Sequence, residues 1–220
     1  MRLKVCGLKT NIEEVVLLQP DYIGLIFWEN SKRFVADPLP TSLKLGIPRV
    51  GVFVDAKKEE VLQRIQTYNL ELVQLHGDET PEYCRELKSL VESTTEHKVK
   101  IIKAFAVGAT FNFEILEKYL SASDYFLFDS RGPLPGGNGT HFNWNLLSQY
   151  YYNTPYFLSG GISESDLPQL SEFMKSPGAA FCHAIDINSQ FEFQPGQKDI
   201  EKLKRFMRAP FWLEHKNLIN

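Results

Sequence analysis

Short apolar runs alternate with longer amphipathic segments along the whole chain. The runs that read as strands are Leu3–Cys6, Tyr22–Phe27, Arg49–Val54, Leu72–Leu75, Lys100–Ala104, Tyr125–Phe128, Tyr156–Leu158 and, roughly, Phe181–Ile185, eight in all. Segments of helical spacing lie between most of them. Glu59–Tyr68 puts Val61, Leu62 and Ile65 on one face, and Pro81–Val91 does the same with Tyr83, Leu87, Leu90 and Val91. Ser163–Met174 opens with Ser163-Glu164-Ser165-Asp166, a helix-capping pattern, and Lys198–Met207 spaces Ile200, Leu203, Phe206 and Met207 along one stripe. The second unit is the weakest, because Asp37–Gly46 holds two prolines and only a short helical run. Strands that alternate with helices predict a parallel sheet, and buried parallel strands should be nearly all apolar, as Tyr22–Phe27 and Tyr125–Phe128 are. Eight such units predict a single (β/α)8 barrel, a TIM barrel, spanning residues 1–220; an open doubly wound sheet is the alternative.

Composition narrows the picture. With 43% hydrophobic and 23% charged residues in 220, the chain is of globular type and long enough to bury about 70% of its unfolded surface. Twenty-four basic residues against 27 acidic ones leave a net charge of −3, with no general attraction to nucleic acid or an anionic membrane. A local pocket for a small anion remains open. Cys6, Cys84 and Cys182 form no disulfide framework, and the N-terminus carries no long apolar signal region, so a reducing cytoplasm is expected.

In a barrel the chemistry gathers at the C-terminal ends of the strands, so polar residues that end apolar runs are informative. Cys6 ends the first run. A thiol there is either a small hydrophobe or a base or nucleophile, and Gly7 lets the chain turn and leave the sulfur open. Cys84, on a helical face, and Cys182, in an apolar strand, read as core. Asp129 follows four large apolar residues, and such a partly dry carboxyl suits a general acid; its alternative is a loop cap. Arg33 could grip a carboxylate or phosphate with two parallel bonds, or stand solvated. His76 could donate to a substrate or be a packed, satisfied residue. Two glycine-rich segments, Gly132–Thr140 and Ser159-Gly160-Gly161-Ile162, could bring backbone N–H groups to an oxyanion, the second just before a capped helix. Asn188-Ser189 follows the eighth run, and barrels often hold phosphate after strands seven and eight. A metal site from Cys6, His76, Cys182 and His183 is conceivable, but no paired-ligand spacing supports it.

The same residues resemble the motifs of the phosphoribosylanthranilate isomerases, tryptophan-pathway enzymes with a single (β/α)8 barrel. Lys4-Val5-Cys6-Gly7-Leu8-Lys9-Thr10 is similar to the family's opening signature, with one extra residue before the threonine. Gly24–Phe27 with Ser31–Val35 resembles the second motif, with Lys32 where proline is usual, and Val73-Gln74-Leu75-His76-Gly77 matches without change. Phe126–Ser130 with Gly136–Gly139 and Phe142–Trp144 resembles the acid strand and its glycine loop, in which Asn138 and Asn143 replace the usual Thr and Asp. Leu158–Ile162, Asp186–Ser189 and Pro195–Asp199 complete the set in order; Gln190-Phe191 stands where Gly-Val is usual.

The resemblance implies an Amadori rearrangement with Cys6 as general base and Asp129 as general acid. It further implies that Arg33 holds the anthranilate carboxylate, that Gly160, Gly161, Asn188 and Ser189 serve the phosphate end, and that Asp186 meets a ribose hydroxyl, with His76 and Gly137 also at the substrate. No metal or organic cofactor is implied, because the substrate's own nitrogen is the electron sink. The expected partner is a phosphorylated sugar–anthranilate, with no nucleic acid or membrane, and the chain is expected to be a monomer or homodimer. Indole-glycerol-phosphate synthase and the histidine-pathway isomerases are weighed against by Cys6, since they use lysine with glutamate, or paired aspartates. A non-catalytic phosphate-binding barrel would be signalled by loss of Cys6 or Asp129, and both are present.

Overall fold

In a computed structural model, residues 1–36, 46–95, 98–130 and 141–215 are described. Eight parallel strands close into a barrel: β1 (Arg2–Val5), β2 (Tyr22–Ile26), β3 (Arg49–Phe53), β4 (Leu72–Leu75), β5 (Lys100–Val107), β6 (Tyr125–Ser130), β7 (Tyr156–Leu158) and β8 (Cys182–Ile187). β1 pairs with both β2 and β8, so no edge is left, and the barrel is favoured over the open sheet. All eight predicted runs are strands; Leu72–Leu75 and Tyr156–Leu158 match at both ends, and no end of the others is shifted by more than three residues. The expected short helix within Asp37–Gly46 falls mostly outside the described residues.

The helices follow the apolar stripes. α1 (Ile12–Val16) is short; α2 (Lys58–Tyr68) buries Val61, Ile65 and Tyr68; α3 (Pro81–Thr94) buries Cys84, Leu87 and Val91. Thr80 caps α3 through its side chain, which accepts from the Tyr83 N–H at 3.2 Å, with proline in the first turn where a missing N–H costs nothing. The predicted helix at Ser163–Met174 is split: a 3-10 turn, Glu164–Asp166, leads into α4 (Leu167–Phe173), where Pro168 stands in the first turn. α5 (Ile200–Met207) and α6 (Pro210–His215) close the layer. Between β5 and β8 the other connections are 3-10 turns: Phe113–Tyr119, Trp144–Gln149 and Pro177–Phe181. These tight connections explain how so short a chain completes eight units.

Two layers of apolar packing result. Most of the core lies between strands and helices; a second cluster, Val50, Leu72, Ile102, Ala104, Tyr125, Leu127, Phe157 and Ala184, fills the barrel interior. β8 carries one irregularity. Tyr156 pairs with Cys182 but Phe157 pairs with Ala184, so His183 is an extra residue. A two-stranded hairpin, β9 (Glu192–Gln194) and β10 (Gln197–Lys198), follows β8. No helix among the described residues is long and apolar enough to cross a membrane.

Candidate active site

Side chains two residues apart on a strand share a face, and at the C-terminal end of this barrel that rule converges on one pocket. Cys6, Arg33, His76, Asp129, Gly160, Gly161, Asp186, Asn188 and Ser189 all line it. Of the expected site residues only Gly137 lies outside the described residues. Ile26, Trp28, Val52 and Val54 supply an apolar wall.

Cys6 follows β1 and its N–H donates to the Ile187 carbonyl at 2.9 Å. Gly7 turns the chain at φ +73, as expected, and Gly24 on β2 makes room for the sulfur: a Cβ there would come within 2.7 Å of Sγ. Burial pushes the Cys6 thiol up, and Asp186 adds to this; Lys4 and Lys198 pull it back. Lys4 lies one step below Cys6 on the same face and is wholly buried. Its ammonium donates to Gln74 Oε1 (2.7 Å) and Asp186 Oδ2 (2.9 Å). Burial works against the Lys4 charge, but Asp186 and Cys6 outweigh it and hold the ammonium above its ordinary pKa. The other carboxylate oxygen of Asp186, Oδ1, is buried with no hydrogen-bond partner.

Asp129 sits on β6, within the strand. Its Oδ1 accepts from the Ser130 N–H at 2.9 Å, and its Oδ2 lies 3.3 Å from His76 Nε2. His76 is thus packed and partnered, through Gln74 on one side and Asp129 on the other. Below it, Glu79 accepts from the Asp55 and Gly77 N–H groups and pairs with buried Lys103 at 3.1 Å, which pins the loop after β4.

At the opposite rim, Gly160 (φ +103) and Gly161 (φ +68) form the loop after β7. The sequence assigned Gly160's lack of a side chain to close approach of an anion. The structure gives a nearer reason, since a Cβ there would collide with Ser130 Oγ. His141 ties this loop down, meeting the Gly160 carbonyl at 3.0 Å and Asp166 Oδ1 at 3.1 Å. Asp166 in turn accepts from the Ser163 N–H at 2.7 Å, the capping contact predicted from sequence. Neither rim segment carries a basic side chain, yet a charge stands behind one of them. Lys198, fully buried on β10, donates to Asn188 Oδ1 (2.9 Å) and to Glu192 (2.8 Å).

Arg33 differs most from expectation. Its Nε and Nη2 grip Glu192 at 2.7–3.0 Å, so the guanidinium fork is neither solvated nor wholly open to a ligand. Burial alone would raise Glu192, but Arg33 and Lys198 hold its carboxyl below the usual value. The conceivable metal ligands are scattered: Cys182 and His183 begin β8 at the far end of the barrel, and no metal-holding group of three occurs among the described residues. Cys84 and Cys182 are buried free thiols of the core, as expected.

The residues missed by sequence reasoning are Lys4, Gln74, Glu192 and Lys198. For the first two a signal existed, because Lys4 is two before Cys6 and Gln74 two before His76, which places each pair on one strand face. Glu192 and Lys198 had no such signal, since only the hairpin after β8 brings them under the site.

A family model described as N-(5'-phosphoribosyl)anthranilate (PRA) isomerase matches residues 3–209. The chain belongs to this family. It is 41% identical over 216 residues to the N-(5'-phosphoribosyl)anthranilate isomerase of Parabacteroides distasonis, covering 94% of this chain and 92% of that one. It is similar to the crystal structure of phosphoribosyl anthranilate isomerase from Thermus thermophilus, with a TM-score of 0.75 at 26% identity, covering 94% and 96% of the two chains. A further phosphoribosyl anthranilate isomerase structure, in complex with reduced 1-(o-carboxyphenylamino)-1-deoxyribulose 5-phosphate, aligns with a TM-score of 0.68 at 27% identity over 94% and 97%.

Proposed function

We propose that this chain converts N-(5'-phosphoribosyl)anthranilate to 1-(2-carboxyphenylamino)-1-deoxyribulose 5-phosphate, with Cys6 as base and Asp129 as acid, and that residues 1–220 act as one catalytic domain. The observation that carries the assignment is that a thiol and a carboxyl, on strands standing three apart around the barrel, line one pocket. Asp129 gives its proton to the furanose ring oxygen. The C1–O bond breaks toward that oxygen while the anthranilate nitrogen lone pair forms a C1=N bond. Thiolate Cys6 then takes the C2 proton, and the C2–H electrons form C1=C2 as the C1=N pair returns to nitrogen. The resulting enolamine becomes the ketone by losing the C2 hydroxyl proton and gaining one at C1.

The surroundings suit each part of that substrate. The wall of Ile26, Trp28, Val52 and Val54 fits an aromatic ring, and Arg33 stands at the same wall for its carboxylate. The unpartnered Asp186 Oδ1 is an acceptor that a ribose hydroxyl would satisfy. The rim formed by Gly160, Gly161, Asn188 and Ser189 suits the phosphate, through backbone N–H groups with Lys198 behind Asn188. Burial favours the neutral Cys6 thiol at rest. The cationic Schiff base formed beside it favours the thiolate when the proton must move. Loss of anthranilate-adduct fluorescence tests the reading: Cys6→Ser and Asp129→Asn should each lower kcat by about 10²–10⁴-fold with the fold retained. Turnover within about threefold of wild type for either variant removes that residue from its role.

A further inference from the structure

We propose that Lys4, Gln74 and His76 form a positioning relay that runs beneath the substrate from base to acid and fixes the His76 proton on Nε2, aimed at Asp129. The inference rests on Asp129 being the acid, and its chain of donors can be read without that assumption.

The Lys4 ammonium can only donate. The Gln74 atom 2.7 Å from Lys4 Nζ is therefore the amide oxygen, and the orientation of this buried amide is fixed by chemistry. Its NH2 group then faces His76 Nδ1, at 2.7 Å. An amide N–H only donates, so Nδ1 must accept with its lone pair. The ring proton is thereby placed on Nε2, 3.3 Å from Asp129 Oδ2. The second Asp129 oxygen already accepts from the Ser130 N–H. When Asp129 hands its proton to the ring oxygen, two donors are thus in place for the carboxylate that remains. The opposite tautomer would turn a lone pair on that carboxylate instead.

The relay also joins the two halves of the reaction. The same Lys4 ammonium holds Asp186 at 2.9 Å and lowers the cost of a thiolate at Cys6, its neighbour two residues on. One buried cation therefore stabilises the base directly and orients the acid through two intermediaries. Gln74 and His76 here are positioning residues; neither takes or gives a proton in the reaction.

The test is nitrogen NMR on the full chain labelled at histidine, with His76 assigned by its loss in His76→Asn. The expected wild-type spectrum has Nε2 protonated and Nδ1 bare; a proton on Nδ1 overturns the relay. In Gln74→Glu, which keeps the shape, only acceptors face Nδ1. That ring nitrogen should become protonated, and kcat should fall about 10²-fold with KM changed far less, the size expected for a misplaced catalytic group. In Gln74→Met, which removes both amide contacts without adding charge, the preference for Nε2 should weaken and kcat should fall by about tenfold or more. This second variant carries the test if the glutamate variant does not fold. An unchanged ring proton in the folded variants, or kcat within about threefold of wild type, overturns the positioning role. If Asp129→Asn keeps full turnover while the wild-type proton sits on Nε2, the acid assignment fails and the donor chain stands.

Discussion

His183 and Asp186 lie three residues apart on β8, yet they have opposite settings. His183 plugs the N-terminal end of the barrel, with ring centroids 4.7 Å from Tyr125 and 5.3 Å from Phe157. Both its nitrogens are engaged, Nδ1 by Arg2 at 3.1 Å and Nε2 by Tyr22 at 2.9 Å. Asp186, at the C-terminal end, is the more deeply buried of the two but keeps one carboxylate oxygen without a partner. A buried polar atom left unsatisfied costs about 1–3 kcal/mol. One end of the barrel therefore spends its contacts on closure, and the other holds an unmet acceptor where a ligand can meet it.

The sharpest way to separate the two ends is Phe157→Ala. This ring packs against Tyr22, Tyr125 and His183, and its loss should cost about 3–5 kcal/mol of stability in urea unfolding. Turnover per folded molecule should hardly change. A large fall in kcat with intact stability would mean that the lower layer is not merely a plug.

Arg33→Ala should act the other way round. Binding of an analogue that carries the anthranilate carboxylate should weaken by about 1.5–3 kcal/mol, with little loss for an analogue lacking it. Equal losses would show that Arg33 works through Glu192, by holding the hairpin after β8. Competition titrations with the two analogues distinguish these outcomes.

A third contrast is a pH dependence at the closed end. Burial, with help from Arg2 and Lys100, pushes His183 down from 6.5 to about 4. The unfolded chain takes up a proton near 6.5, whereas the folded chain resists until about 4. His183 therefore lends its full contribution above pH 6.5, and this is lost as the pH falls through the window to about 4. His183→Gln should flatten that part of the stability curve by up to about one proton of slope. An identical slope in both proteins would dissociate His183 from the acid sensitivity.

The sequence was legible where a single strand carries the information. Cys6, His76, Asp129 and Asp186 end apolar runs, so strand periodicity and barrel topology together brought them to one mouth. The capping contact of Ser163 with Asp166 was legible for the same reason, being local. Ion pairs between distant segments were not. Nothing near Arg33 announces Glu192, and nothing near Asn188 announces Lys198, because the pairing exists only once the β9–β10 hairpin folds back over β8. Helix type was also illegible: the 3-10 turns at Phe113–Tyr119 and Trp144–Gln149 bury the same periodic apolar residues that α-helical turns would.

The extra residue in β8 acts like a one-letter insertion in a reading frame. Because His183 is not counted in the pairing with β7, both it and Ala184 lie on the barrel's inner side. From Ala184 onward the parity then delivers Asp186 and Asn188 to the pocket, while Ile185 and Ile187 join the outer core. Were His183 instead counted, pairing with Phe157 in a regular ladder, every later residue would move by one position and those two sets would exchange. The acceptors would be driven into the helix layer and the isoleucines into the mouth. The irregularity at the closed end thus sets the phase of the open one.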